Sequence, residues 1–549
     1  MIYWQMKLNK RELFQKDYEK TGFLVFWLIM AVYYGYRMFA LTPWYDELYT
    51  YYYFISRGPV YAAIHWPVPN NHVGYSVLSA FLDYLGNPYI GLRGISYLCA
   101  LANLILLFRI GRGFLKKGLS LVAVLLYASM NLVNQMAVQG RGYTLGITCY
   151  LTAFYCLTFI CRRFKTACRY YVVFGVSLVL GLYTLPSDVY FVLPVCMTGG
   201  IYLLYQALLE SEESKFPVRK SECFRKLGKL ITVSILAAIV TIGLYALIWL
   251  AIGSNLLIKD ETGLYYGMSH VKMILSSPFD ALNAGIEYML ATPYIQSVSR
   301  QGYPGRLLQW MKILMNWYYD GFASLLLIIV LTGICLLIWK LISGMRKKEN
   351  DNILFLIFLL TGILCIPLFL MIQCALPYYR VFTYGGVLLA FLIAWMFSVI
   401  MEIYDKAAYN DKKSNRIQRK GVTFVGLIGL IVLLSSFWVN NAHHEQYSMR
   451  EYQIQDALSQ SDINKAENIC VTDCTQQYLI KFLYDITCEN TVIEGSDYLL
   501  LDKKMLDPEY NEMEWEFYHY YNTIPWDYVN DNMKQVYENE SFVLYIKNT

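Results

Sequence analysis

Two adjacent carboxylates, Asp46 and Glu47, are the residues of this chain best suited to do chemistry. They directly follow the first long apolar run, so we expect them at the edge of a membrane. Carboxylates at that depth cost free energy unless they are paired or used. A carboxylate that contacts a reacting hydroxyl can remove its proton as a general base. The pair is therefore the first candidate for a catalytic site.

Cations occur at three comparable places farther along the chain. Arg93 begins the second apolar run, Arg141 lies between two glycines in QGRGY (139–143), and Arg380 follows Pro-Tyr-Tyr before a later run. Each alone is typical of a side chain that caps a helix or extends to the membrane surface. Together they could bind a phosphate, because the planar guanidinium matches phosphate oxygens. A carboxylate facing such cations suits group transfer from a lipid phosphate.

The composition indicates a multi-pass membrane protein. Of the 549 residues, 57% are hydrophobic and only 16% are charged, whereas soluble proteins carry about 25% charged residues. Eleven apolar runs have about the length that crosses a bilayer core, approximately 23–41, 92–110, 119–135, 143–161, 170–185, 189–208, 229–251, 322–341, 353–375, 379–400 and 421–439. We therefore expect an all-α polytopic fold with about eleven transmembrane helices.

The distribution of Lys and Arg predicts the orientation of these helices. With a cytoplasmic N-terminus, the inner loops are RIGRGFLKKG, CRRFKTACRY, 209–229, WKLISGMRKK and 401–420, and all are rich in basic residues. The loops assigned outside (42–91, 136–142, 186–188, 252–321 and 376–378) are poorer in them. The first run lacks a small-residue cleavage site, which favours a retained helix. We expect a plasma-membrane protein with Asp46, Glu47 and the C-terminal part on the extracytoplasmic side.

The charge pattern divides the chain into a membrane domain over 1–439 and an extracytoplasmic domain over 440–549. The second part holds 20 acidic and 7 basic residues. Its aromatic residues and alternating runs such as SFVLYIK argue against disorder, while QQYLIKFLYDIT has a helical pattern. We expect a small α/β domain. Its cysteines, Cys470, Cys474 and Cys488, leave open whether two of them pair.

Both long outer loops contain a short amphipathic segment. Apolar residues recur at helical spacing in 73–85 and in 307–317, which are too short to span a bilayer and predict helices that lie along its surface. The many tyrosines nearby are typical of an aromatic belt at the membrane interface. His65 and His72 flank a proline-containing stretch, and structural hydrogen bonds are the expected role of both rings.

Several functional classes have no support in the sequence. No glycine-rich phosphate loop of a nucleotide-binding protein is present. Nucleic-acid binding is also not indicated, because the basic residues lie in short loops whose charge the membrane topology explains. No CxxC pattern suggests a metal site.

Five segments together resemble the GT-C glycosyltransferases. These are WYDELY (44–49), PVPNNHVGYSVLSAFLDYLG (67–86), LRGISY (92–97), QGRGYTLG (139–146) and PYYRVF (377–382). The resemblance is to bacterial members related to protein O-mannosyltransferases and the lipid A aminoarabinose transferases. It covers most of the first 150 residues and one later helix. NNHVGY replaces the proline-rich version that is commoner in relatives.

The resemblance implies a polyprenyl-phosphate sugar as the donor, held among the lipids of the membrane. The acceptor would be a glycan, a lipid or a protein. Asp46 would be the catalytic base, and Glu47 would position the acceptor or a cation. Arg141 and Arg380 would bind the donor phosphate. Arg93, Tyr143, His72 and Asn71 are the further candidates for substrate binding. Some relatives use a divalent cation, which His65, His72, Asp46 and Glu47 could hold.

Two alternatives remain open. A transporter or flippase of lipid-linked saccharides would also show many helices and outer cations. It should carry charged residues deep within its helices and two symmetric halves, neither of which is evident. A non-catalytic GT-C relative would retain the fold, although the Asp-Glu pair argues against that interpretation.

Overall fold

The computed structural model places a helical membrane part before a small mixed domain. It describes residues 18–65, 70–162, 166–215, 217–258, 263–291, 297–347, 352–409, 449–466, 468–514 and 516–548. The predicted span 421–439, the boundary at 439/440, Trp515 and most of the proline-containing stretch after His65 lie outside these residues.

The described residues of the membrane part form seventeen helices. These are α1 Tyr18–Ala40, α2 Tyr45–Tyr53, α3 Pro59–Ile64, α4 Val73–Asp83, α5 Pro88–Phe114, α6 Leu119–Ala128, α7 Asn131–Val138, α8 Tyr143–Arg162, α9 Cys168–Thr184, α10 Val189–Ser214, α11 Glu222–Ile258, α12 His270–Ser276, α13 Pro278–Ala291, α14 Tyr303–Tyr318, α15 Ala323–Arg346, α16 Ile353–Gln373 and α17 Gly385–Tyr409. Short 3₁₀ turns at Ile55–Arg57, Pro186–Asp188 and Tyr379–Phe382 join some of them.

The predicted polytopic helical class is confirmed. Within the described residues, eight helices are long and apolar enough to cross a membrane, and a bent pair makes nine. The expected span at 170–185 is the shorter apolar helix α9. The amphipathic segments of the two long loops predicted to lie outside, which we call the first and second outer loops (42–91 and 252–321), are the helices α4 and α14. Ten of the eleven predicted spans therefore lie on helices.

The predicted span at 119–135 is broken into two helices. The axes of α6 and α7 are bent by 72° at Ser129 and Met130. The side-chain amide of Asn134 donates to the carbonyl of Ala128 (2.6 Å), at the end of α6. It also donates to the carbonyl of Met130 (3.2 Å), which accepts the backbone N–H of Asn134 as well (3.0 Å). The polar residues Asn131 and Asn134 at the end of this apolar run are the sequence signal of the break.

The C-terminal domain is a small α/β unit, as predicted. Its described residues contain the helices α18 Met449–Ser459, α19 Cys474–Tyr484 and α20 Trp526–Asn532 and the strands β1 Tyr498–Asp502, β2 Met533–Glu538 and β3 Phe542–Lys547. The antiparallel sheet has the order β1-β3-β2. Cys470, Cys474 and Cys488 are buried free thiols, so the pairing that the sequence left open is not formed.

The C-terminal domain packs against the first outer loop. The Glu451 carboxylate in α18 accepts a hydrogen bond from the backbone N–H of Tyr45 (2.9 Å), and Thr42 Oγ1 donates to Gln455 (2.6 Å). The ring of Tyr478 in α19 stacks on Tyr52, with 5.7 Å between centroids. These contacts hold both ends of α2, the helix that carries Asp46 and Glu47.

Candidate active site

Helix α2 separates its two carboxylates. It begins at Tyr45, so Asp46 and Glu47 lie in its first turn, where the N-terminus of a helix favours negative charge. Successive helical residues project about 100° apart. As a result the side chain of Glu47 is fully buried, whereas that of Asp46 remains 21% exposed. The adjacent residues therefore have different environments and different partners.

Glu47 forms a buried bidentate ion pair with Arg93. Arg93 Nε is 2.8 Å from Oε1, and Nη2 is 2.9 Å from Oε2. Glu47 also accepts from the backbone N–H groups of Trp44 (3.0 Å) and Gly140 (2.6 Å). Arg93 Nη1 donates to the carbonyls of Met38 (3.0 Å) and Leu41 (2.7 Å). The pair thus ties together the end of α1, the start of α2 and the loop before α8.

The QGRGY loop (139–143) places hydrogen-bond donors beside the first turns of α2. Arg141 is almost fully buried, and its Nη1 donates to Thr50 Oγ1 (2.7 Å) and to the carbonyl of Asp46 (3.3 Å). Its Nε has no hydrogen-bond partner among the described residues. A Cβ at Gly140 would clash with Leu92, and one at Gly142 with Thr184. Close approach to α2, α5 and α9 therefore explains both glycines.

His72 lies between two donors. Nδ1 is 2.7 Å from the N–H of Gly142, and Nε2 is 3.0 Å from Nη2 of Arg141. A neutral imidazole can accept at one nitrogen, whereas an imidazolium can accept at neither. Burial, together with the charges of Arg141 and Arg380, holds the pKa of His72 well below its usual value. His72 is therefore a neutral hydrogen-bonding group beside Arg141.

Asp46 faces Arg380, which comes from the opposite end of the membrane part. Arg380 Nη2 is 3.1 Å from Oδ2 of Asp46, and the two side chains are 17% and 21% exposed. The guanidinium also lies over the rings of Trp44 (5.0 Å) and Tyr378 (4.9 Å). Both polar side chains are therefore held by contacts and remain partly accessible. This combination is what a base beside an anion-binding cation requires.

Helix α14 positions the segment that carries Arg380. The indole N–H of Trp310 donates to the carbonyl of Pro377 (3.0 Å), and the hydroxyl of Tyr318 donates to that of Phe382 (2.5 Å). These bonds fix the backbone on both sides of Arg380. The amphipathic helix of the second outer loop therefore contributes to the site through the residues that it holds.

The remaining predicted site residues have structural contacts. Asn71 donates to the carbonyls of Ala62 (2.9 Å) and His65 (2.8 Å) and accepts from Ser76 (2.7 Å). Tyr143 begins α8 and packs edge-on against the ring of His72, with 4.9 Å between centroids. Glu47, Arg93, Arg141, His72 and Tyr143 thus form one contiguous cluster beneath Asp46, and Asn71 holds the start of α4 beside it.

Sequence reasoning did not identify Thr50 or Trp44 as site residues. Thr50 accepts the shortest hydrogen bond of Arg141, and Trp44 stacks on the guanidinium of Arg380. Thr50 lies one helical turn after Asp46, and this spacing is the signal that could have identified it. The role of Trp44 depends on a residue far along the chain, for which no local signal exists.

Three of the four residues proposed for a divalent cation have other partners in this structure. Both oxygens of Glu47 accept from Arg93 and from backbone N–H groups, and both ring nitrogens of His72 face donors. Asp46 is paired with Arg380. Across the described part of the chain, no group of three or more His, Cys, Asp and Glu side chains could hold a metal ion.

A family model matches part of the chain. The model described as dolichyl-phosphate-mannose-protein mannosyltransferase matches residues 73–217. This segment contains Arg93, Arg141 and Tyr143. It begins directly after His72 and includes neither of the two carboxylates of α2 nor Arg380. The predicted resemblance to the GT-C glycosyltransferases is confirmed. No curated protein matches the chain at a significant level.

Several solved structures are also similar. The archaeal oligosaccharyltransferase AglB from Archaeoglobus fulgidus, in complex with an inhibitory peptide and a dolichol-phosphate, has 12% sequence identity and a TM-score of 0.45, and the alignment covers 78% of this chain and 56% of that chain. The Archaeoglobus fulgidus oligosaccharyltransferase in complex with Zn and sulfate has 14% identity and a TM-score of 0.42, with coverages of 76% and 52%. The chain thus spans little more than half of these proteins.

Proposed function

We propose that this protein is a GT-C-type glycosyltransferase that transfers a sugar from a polyprenyl phosphate to an acceptor on the extracytoplasmic side of the plasma membrane. The observation that carries the proposal is the pairing of Asp46 with Arg380, 3.1 Å apart and partly accessible. The partial family match supports the same reaction class. The basic inner loops support the orientation.

The reaction assigns different tasks to these two residues. Asp46 takes the proton of an acceptor hydroxyl as that oxygen bonds to the anomeric carbon of the sugar. The bond between that carbon and the phosphate oxygen breaks, and its electron pair leaves with the phosphate. Arg380 stabilises the negative charge that develops there. The products are the glycosylated acceptor and the polyprenyl phosphate.

Arg380 is a better candidate than Arg141 for direct contact with the phosphate. The side chain of Arg380 is 17% exposed, whereas Arg141 is 1% exposed and contacts Thr50, His72 and the carbonyl of Asp46. We assign Arg141 and His72 to positioning the first turn of α2. Glu47 and Arg93 serve the same purpose from the other side.

The remaining predicted ligands also act through position. Asn71 holds the start of α4, and Tyr143 packs on His72. Both belong to the support of the Arg141 cluster in this proposal. A bound cation is not required for the steps above, because the guanidinium of Arg380 supplies the charge.

The test is consumption of radiolabelled polyprenyl-phosphate sugars by the purified protein in lipid nanodiscs. In the absence of acceptor, water takes the place of the acceptor hydroxyl, so slow hydrolysis of the donor should occur with one member of a panel of sugars, and Asp46→Asn should lower its rate by about 10²- to 10⁴-fold. Asp280→Asn is the matched control, because Asp280 is an exposed carboxylate of the second outer loop. Donor binding without turnover, or turnover indifferent to Asp46→Asn, would favour a lipid-saccharide carrier or an inactive relative.

A further inference from the structure

A cleft of about 520 Å³ lies between the first outer loop and the C-terminal domain. One wall includes Tyr52, Tyr53 and Arg57 of the first outer loop. The other wall includes Gln477, Tyr478 and Lys481 of α19. Its walls come from two domains, so the docking of the C-terminal domain creates it.

The cleft lies along the same helix as the proposed base. Tyr53 is seven residues after Asp46 in α2, which puts it on the same helical face and about 10 Å farther along the axis. Tyr49 lies between them on that face, and its ring stacks on Tyr53 with 4.1 Å between centroids. A ligand that extends from Asp46 along this face would therefore reach the cleft.

Two cations face this cleft. Lys481 Nζ lies 4.9 Å from the centroid of Tyr52, and the Arg57 guanidinium lies 5.5 Å from that of Tyr53. Within the part of the chain that the structure describes, neither makes an ion pair with a carboxylate. Lys481 is one of only 7 basic residues, against 20 acidic ones, in the C-terminal domain, whereas Arg57 belongs to the first outer loop. The two cations favour a ligand with negative charge, although Glu489, which also lines the cleft, offsets part of their charge.

Neutral polar groups accompany these cations. The hydroxyls of Tyr53 and Tyr478 are 3.1 Å apart, and the hydroxyl of Tyr518 donates to the amide oxygen of Gln477 (3.2 Å). Tyr49, which lies between Asp46 and the cleft, adds a further phenol, and burial raises the pKa of this phenol to about 12. Hydroxyl and amide groups can form hydrogen bonds with the hydroxyls of a saccharide, and aromatic rings can pack against the apolar face of its ring.

We propose that this cleft binds the acceptor and that the acceptor is a saccharide bearing carboxylate or phosphate groups. That the bound saccharide is the acceptor rests on the proposed glycosyl transfer. The binding of a saccharide in this cleft does not depend on that reaction. Arg57 and Lys481 bind the anionic groups, and the tyrosine and glutamine side chains bind the sugar hydroxyls. The sugar nearest Asp46 presents the hydroxyl that is glycosylated.

The test measures saccharide binding to the full-length protein in nanodiscs. The probes are trigalacturonate, a neutral galactose trisaccharide, triglutamate and inorganic phosphate. Trigalacturonate should bind at least tenfold more tightly than the other three. The double variant Arg57→Gln/Lys481→Gln should weaken its binding at least tenfold, and Arg57→Lys/Lys481→Arg should retain most of it.

Lys534→Gln is the matched control, because Lys534 is an exposed lysine of the same domain outside the cleft. It should bind trigalacturonate as wild type does. Equal binding of the neutral trisaccharide would overturn the anionic assignment, and equal binding of triglutamate or phosphate would overturn the saccharide assignment. Unchanged binding in the double variant would overturn the site. Donor consumption by wild type without acceptor reports separately on the proposed function.

Discussion

Arg380 Nη2 lies 3.1 Å from Oδ2 of Asp46, although Asp46 comes from the first outer loop and Arg380 from the 3₁₀ turn Tyr379–Phe382 before α17. The pair brings a carboxylate and a guanidinium to one partly accessible point. Each has its own support, because Asp46 depends on α2 and Arg380 depends on α14. The relative position of the two segments therefore determines the geometry of the proposed reaction.

Replacement of Arg380 by Gln should lower transfer by about 10²- to 10³-fold, because the variant loses the charge that stabilises the leaving phosphate. The rate constant of transfer and the KM for donor should be measured together with donor affinity. Arg306→Gln is the control, since Arg306 is an exposed arginine of α14 that donates to the carbonyls of Ser299 and Gln301. A variant with unchanged transfer would contradict the role of Arg380.

Glu47→Gln should destabilise the protein by about 3–5 kcal/mol, because it leaves Arg93 buried without its charge partner. Thermal unfolding in detergent is the measurement. Glu402→Gln is the matched control, because it breaks a partly exposed pair with Lys340 and should cost less than about 1 kcal/mol. Equal melting temperatures of the two variants would argue against a structural role for Glu47.

The close approach of the QGRGY loop predicts a further effect on stability. Gly142→Ala would put a methyl group against Thr184 and His72, at a cost of about 1–3 kcal/mol. It would also displace Arg141. Gly243→Ala in α11 should be neutral or slightly stabilising, because its Cβ would meet no atom within 4 Å. Thermal unfolding distinguishes the two, and a Gly142→Ala protein as stable as wild type would refute the packing argument.

The contact between Glu451 and Tyr45 predicts a pH dependence. Burial raises the pKa of Glu451 from 4.5 to about 7, against the opposing effects of the Tyr45 N–H and Arg450; Glu516 raises it further. The folded state therefore retains a proton that the unfolded chain loses, and stability should fall as the pH rises from about 4.5 to about 7. The difference between these two pKa values corresponds to at most about 3.4 kcal/mol of stability.

Glu451→Gln should remove this pH-dependent difference and keep an acceptor for the Tyr45 N–H. Its melting temperature should exceed that of wild type at pH 8, and the two should converge at pH 4.5. Melting curves of both proteins across this range are the measurement. Parallel curves at every pH would show that Glu451 does not titrate in that window.

The sequence predicted the spans and the candidate carboxylate because both leave local signals. Apolar runs of the right length became helices, and alternating basic loops gave a consistent topology. Asp46 and Arg380 were identified from their places at the ends of such runs. Even the amphipathic segments of the outer loops, which became α4 and α14, were visible from their spacing.

The different environments of the site residues could not be predicted from such local signals. Asp46 and Glu47 are neighbours in sequence, and only the packing of α2 buries one of them and exposes the other. The sequence likewise named Arg141 and Arg380 together as phosphate ligands, and only the packing of the chain makes Arg380 the more exposed of the two. The bent pair α6 and α7 was read as one span because its total length fits a bilayer.

The docking of α18 on the start of α2 sets an order for biosynthesis. Tyr45 leaves the ribosome early, but its partner Glu451 is made about 400 residues later, after the described membrane helices. During that interval the first outer loop lacks its contacts with α18 and α19. The nascent protein therefore completes the wall of the proposed site last, and a chain that stalls during synthesis should insert into the membrane without forming that site.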